Sequence, residues 1–107
     1  MIQHIVTFIW NERTTPADVA GIEQRLAQVP QHVPELVAYT FGRDLGISEG
    51  NGDFAVIATL QSVADLPAYR DQPFHAEVAR DMRAMAESRT AVQIDTGVQP
   101  GGLDAAT

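Results

Sequence analysis

From Ile2 to Trp10 the chain alternates, with Ile2, His4, Val6, Phe8 and Trp10 on one side and Gln3, Ile5, Thr7 and Ile9 on the other. A period of two in β-branched and aromatic residues predicts a strand. Apolar residues on both sides predict a central strand covered on both faces. After the polar connection Asn11–Thr15, three signals mark a helix start: Thr15 as N-cap, Pro16 at the first helical position and Asp18 in the first turn. Val19, Ile22, Leu26 and Val29 follow at helical spacing and form one buried stripe. Pro30 and Pro34 end that helix, since each lacks an N–H and restricts the residue before it.

Glu35–Asp44 predicts a second strand, with Val37, Tyr39 and Phe41 on one face. Leu45–Gly52 holds three glycines and an Asn-Gly pair, the composition of a hairpin loop. Asp53–Leu60 alternates as a third strand, antiparallel to the second. Ser62 and Asp65 repeat a capping pattern ahead of a short helix carrying Val63, Leu66 and Tyr69, which Gln72-Pro73 breaks. A further helix runs from about Phe74 to Ser88, with Phe74, Val78, Met82 and Met85 on its apolar side. Arg89–Thr96 alternates as a last strand, and Gly97–Thr107 has no periodicity and reads as a mobile tail.

The order β–α–β–β–α–β, with right-handed crossovers, predicts an α+β fold: a ferredoxin-like four-stranded antiparallel sheet with helices on one face. The opposite face would expose Ile5, Ile9 and Ile57. A monomer seldom leaves such a patch open to water, so a two-fold dimer joined through the bare sheets is expected.

Composition narrows the function classes. At 107 residues the chain is one domain, and 45% apolar with 20% charged residues describes a globular protein. A net charge of −7, with the basic residues scattered between Arg13 and Arg89, argues against a nucleic-acid partner. There is no cysteine, which excludes disulfides and thiolate chemistry. The start MIQHIVTFIW has no basic segment of a secretion signal, and no apolar run reaches the ~20 residues of a membrane span. A cytoplasmic protein without a membrane partner is expected.

Chemistry is expected where Ala68–Met82 (AYRDQPFHAEVARDM) places Tyr69, Pro73 and His75 in a joint between two helical patterns. The residues here have a familiar order: an HIVTF strand, a YTFGRD strand end, a Gly-rich loop, a compact strand and Y-x-x-x-P-x-H. From about Met1 to Thr96 this resembles the Dabb family, the stress-responsive dimeric α/β-barrel domains, leaving 97–107 as a flexible tail. The resemblance implies a dimer whose sheets form a barrel, with a pocket between each sheet and its own helices. A plant member, of the olivetolic acid cyclase type, is a polyketide cyclase working without metal or cofactor. Its histidine and tyrosine carry over to His75 and Tyr69, and its pocket positions to His4, Val6, Phe8 and Val56. The first helix departs from it, with Ile22 and Leu26 where the cyclase has large aromatics.

A histidine with a pKa near ~6.5 takes up and returns a proton at neutral pH. A tyrosine beside it could stabilise charge developing on a carbonyl or enolate oxygen. The plain alternative is that His75 starts a helix with its ring satisfied by a backbone carbonyl, and that His4 is a hydrogen-bonded core residue or orients His75. His32, in a Pro-rich turn, is expected in solvent, and His4, His32 and His75 lack metal-site spacing. Asp44, Glu49 and Asp53 flank a loop and read as solvated; Trp10, Met82 and Met85 read as packing residues. No Gly-rich loop stands between a strand and a helix as nucleotide binding requires. Three readings stay open: a cofactor-free cyclase or lyase on a small, mainly apolar carbonyl compound, a non-catalytic stress-responsive dimer binding a hydrophobic or aromatic ligand, and a cofactor-free monooxygenase.

Overall fold

The computed structural model describes residues 1–97. The tail expected over 97–107 lies outside the described residues except for Gly97. Four strands, β1 (Ile2–Trp10), β2 (Leu36–Arg43), β3 (Phe54–Leu60) and β4 (Ala86–Asp95), make one sheet in the order β2-β3-β1-β4. Every pairing is antiparallel. The helices are α1 (Pro16–Leu26), α2 (Val29–His32), α3 (Leu66–Arg70) and α4 (Pro73–Met85), with a 3₁₀ turn at Val63–Asp65 before α3. This is the α+β, ferredoxin-like arrangement that the alternation predicts.

The capping signals before α1 are realised in full. The Thr15 side chain accepts from Asp18 N–H at 3.1 Å, and Asp18 accepts from Thr15 N–H at 3.0 Å. These bonds satisfy helix-start donors that would otherwise have no partner. Val19, Ile22, Leu26 and Val29 are all buried. Val19, Ile22 and Leu26 pack with Val6, Phe8, Val56, Val78 and Met82 in one cluster, and Val29 with Leu60, Val33 and Tyr69 in a second.

Register determines which side chains share a row on the helix-facing side. One row reads Tyr39, Ala58, His4 and Gln93 across the four strands. The next reads Phe41, Val56, Val6 and Ala91, and the one after it Arg43, Phe54, Phe8 and Arg89. On the other face, Ile5 stands between Ile57 and Val92, and Gln3 beside Ile94. Ile9 is 40% exposed, Val92 51% and Ile94 43%, so helices cover only one side of the sheet.

Several local expectations need correction. Val37 does not line up with Tyr39 and Phe41: the register shifts between Leu36 and Ala38, and Val37 is 45% exposed at that bulge. Pro30 does not simply end the first helix but sits in the first turn of α2, where a missing N–H costs nothing. The Ser62 side chain makes no capping bond, and Val63 is 68% exposed, so only Leu66 and Tyr69 of that segment are core. The last helix stops at Met85, not Ser88. The chain turns straight into β4 at Ala86, where Asn11 binds the carbonyls of Ala84 and Met85.

Candidate functional site

The break between α3 and α4 is built by Gln72 and Pro73. Gln72 is the N-cap of α4, its side-chain oxygen accepting from His75 N–H at 2.8 Å, and Pro73 occupies the first turn. This joint folds α4 back so that the His75 ring lies against Tyr69, with centroids 4.0 Å apart and planes tilted by 38°. His75 Nδ1 donates to the Arg70 carbonyl at 3.3 Å. A carbonyl only accepts, so the proton sits on Nδ1, and in the neutral ring Nε2 carries the lone pair. Among the described residues no group hydrogen-bonds Nε2, and no buried side-chain nitrogen lacks a partner, so Nε2 is open.

His4 faces the same space from the centre of the sheet. Gln93 Nε2, next to it in the row, donates to His4 Nδ1 at 3.0 Å. The proton of His4 therefore lies on Nε2, the reverse of His75. The His4 ring meets Tyr69 edge-on at 6.1 Å. Tyr69 thus meets both imidazoles, His4 on its edge and His75 against its ring. The Tyr69 hydroxyl is 3.1 Å from the Tyr39 hydroxyl, and either can donate.

Burial shifts the titration of the two imidazoles and the two phenols. Burial, and after it the Arg89 and Arg70 charges, lowers the pKa of His4. Burial also lowers His75; the bond to the Arg70 carbonyl opposes this, while His4 and Arg83 add to it. Both shifts favour the neutral ring. Burial raises Tyr69 to about 12, against the Tyr39 bond and the Arg89 charge, which pull it down. Tyr39 is raised further, by burial first and then by Tyr69.

His4, Val6, Phe8, Val56, Tyr69 and His75 all line one cavity of about 310 Å³ between the sheet and α3–α4. That volume lies at the small end of pockets that hold organic ligands. Leu26 and Met82 add to its apolar wall, and Arg70, Asp71, Arg83 and Arg89 to its polar one. His32 lies outside it, exposed and stacked on Phe74 at 4.5 Å. A wider groove of about 530 Å³ between α1 and α4 contains the Arg25–Asp81 ion pair but no histidine or tyrosine. Among the described residues no three His, Asp or Glu side chains converge as metal ligands. No helix among them is long and apolar enough to cross a membrane.

Sequence reasoning missed Tyr39, Gln93 and the three cavity arginines. The sequence puts Tyr39 on one strand face with Phe41, but its reach to Tyr69 depends on strand register. Gln93 and Arg89 lie on a strand whose partner is 89 residues away in sequence at the His4 contact.

The Stress responsive A/B Barrel Domain, Dabb, matches residues 2–96. The chain belongs to the Dabb family. No curated protein sequence matches it. A dimeric ferredoxin-like protein of unknown function from Thermobifida fusca is 41% identical, with TM-score 0.82 over 87% of this chain and 88% of that one. Its dimeric state supports a homodimer for this Dabb chain. A hydroxynitrile lyase from Passiflora edulis is 20% identical, with TM-score 0.78 over 92% of this chain and 96% of its own. A cofactor-independent oxygenase from Streptomyces nogalater is 16% identical, with TM-score 0.72 over 92% and 95%. At such identities the last two share the fold alone, and one fold supports several chemistries.

Proposed function

We propose that this Dabb protein is a homodimer whose cavity binds a small organic carbonyl compound and performs cofactor-free acid–base chemistry of the lyase or cyclase type. One observation carries this reading: His75 is held by the Arg70 carbonyl in the tautomer that leaves Nε2 open, in van der Waals range of Tyr69. His75 Nε2 accepts a proton from substrate carbon or hydroxyl. The charge left on the substrate oxygen is met by the Tyr69 O–H and by His4 Nε2–H, and His75 later returns the proton. Val6, Phe8 and Val56 hold the apolar part of the substrate and keep water from it.

The experiment is a turnover assay on hydroxynitriles and β-keto thioesters with wild type and His75→Ala, with the oligomer checked by light scattering. The expected result is turnover by wild type and a loss of about 10²–10⁴-fold in a dimeric variant. Turnover by His75→Ala at the wild-type rate overturns the role of His75. Ligand binding without turnover by wild type, with only a lower Tm in the variant, moves the protein to the non-catalytic reading. Oxygen consumption during turnover moves it to the monooxygenase reading.

A further inference from the structure

Three of the chain's seven basic residues, Arg70, Arg83 and Arg89, line the one cavity that holds His4, Tyr69 and His75. The arginines elsewhere mostly have carboxylate partners: Arg25 pairs with Asp81 at 2.9 Å, Arg43 with Glu23 at 2.8 Å, and Arg80 with Asp81 at 3.7 Å. Among the described residues, none of the three cavity arginines has an acidic partner within ion-pair distance. Among the described residues, Asp71 is the only acidic one lining the cavity. In a chain of net charge −7, the cavity wall is therefore cationic. The three come from separate elements: Arg70 from the end of α3, Arg83 from the last turn of α4, and Arg89 from β4 beside Phe8. Their convergence is a product of the fold. Arg70, Arg83 and Arg89 are exposed residues at the edge of a largely apolar space, where positive charge raises the local field and attracts anions of matching size.

We infer that the cavity's ligand is a small carboxylic acid, its carboxylate held by Arg70, Arg83 and Arg89 and its apolar body against Val6, Phe8 and Val56. The guanidinium fork matches a planar carboxylate in two-point contact. A phosphate group is less well served. At the start of α4, Pro73 has no N–H, His75 N–H is bound by the Gln72 side chain and Ala76 N–H by the Gln72 carbonyl, which leaves of these first amides only that of Phe74, a residue outside the cavity lining. The inference rests on the proposed small-molecule pocket and adds the charge class of what enters it.

The test is calorimetric binding of benzoate, benzamide and inorganic phosphate to the full-length protein, repeated for Arg83→Gln, Arg89→Gln and, as a control outside the cavity, Arg13→Gln. Benzoate is expected to bind at least tenfold more tightly than benzamide, its neutral counterpart of the same shape. Each cavity variant should lower benzoate affinity about tenfold, as for loss of a hydrogen bond to a charged group, and leave benzamide unchanged. Arg13→Gln should match wild type. Equal affinity for benzoate and benzamide, no binding of benzoate, or phosphate binding more tightly than benzoate each overturns the inference. Catalysis is separated by His75→Ala. Preference for benzoate in an inactive His75→Ala protein supports the inference whether or not the chemistry is as proposed. Turnover in wild type without any preference for the acid removes the inference and leaves the chemistry standing.

Discussion

The ring of His75 packs 4.0 Å from the ring of Tyr69, while the same imidazole donates Nδ1–H to the carbonyl of Arg70, the residue after Tyr69. One short turn of α3 thus supplies both the aromatic wall and the tautomer-setting acceptor. The bland sequence alternative, a helix-start histidine satisfied by a backbone carbonyl, and the chemical one describe the same bond. Satisfying Nδ1 is what frees Nε2.

The tyrosine pair should separate binding from catalysis. Tyr69→Phe removes the hydroxyl of the tyrosine whose ring packs on His75 and should lower kcat about 10²–10³-fold, the scale of losing one donor to a developing oxyanion. Tyr39→Phe keeps Tyr69 but strips its partner at 3.1 Å, which should cost about 1–3 kcal/mol of stability for the buried hydroxyl left unpaired. It should also raise the Tyr69 pKa further, because the Tyr39 bond lowers it. Steady-state kinetics, urea unfolding and ultraviolet titration check the three effects.

Stability should depend on the two cavity histidines at mildly acidic pH. Both have native pKa values below their ordinary one, chiefly through burial. Above about pH 6.5 both folded and unfolded chains hold them neutral, and their contribution to stability is fully present. As pH falls, the unfolded chain takes up protons first. Stability is then lost progressively until the native rings also titrate. Urea midpoints should therefore be flat from pH 8 to 7 and fall towards pH 5, with a smaller fall in His75→Gln. A midpoint independent of pH from 7 to 5 contradicts the buried, neutral state.

The uncovered sheet face should govern assembly. Val92 sits across from Ile5 and is 51% exposed in the single chain. Val92→Asp places a charge in the apolar strip and should shift a dimer to monomer in analytical ultracentrifugation, because burying an unpaired carboxylate costs more than the contact returns. A Val92→Asp protein that stays dimeric locates the interface elsewhere.

Thr15→Ala should lower stability by about 1 kcal/mol, since it opens a two-sided capping box without touching the cavity. Urea unfolding measures the loss, and turnover should be unchanged.

Much of this architecture was legible in the sequence because its signals are local. Alternation in Ile2–Trp10, the Thr15-Pro16-Asp18 start and the Gln72-Pro73 break each act within a few residues, and each element stands where its pattern predicts. The misses arise where tertiary forces act. Val37 leaves its face because a bulge adds a residue to β2, and no alternation rule shows a bulge. The last helix gives way to β4 at Ala86 because β1 pairs Trp10 with Ala86, pulling the chain into the sheet before its helical pattern ends. In the cavity, Tyr69 and His75 were readable from a seven-residue spacing, whereas Tyr39, Gln93, Arg83 and Arg89 reach it only through sheet register and helix packing. An arginine also reads as surface until the fold shows what lies beside it.

The central claim is that His75 presents an unprotonated Nε2 at neutral pH. Long-range proton–nitrogen NMR of protein with labelled histidine rings tests this most directly. The prediction is an Nδ1–H tautomer for His75 at pH 7, an Nε2–H tautomer for His4, and a His75 titration midpoint below about 6.5. A His75 ring that is Nε2–H, or already protonated at pH 7, contradicts the account.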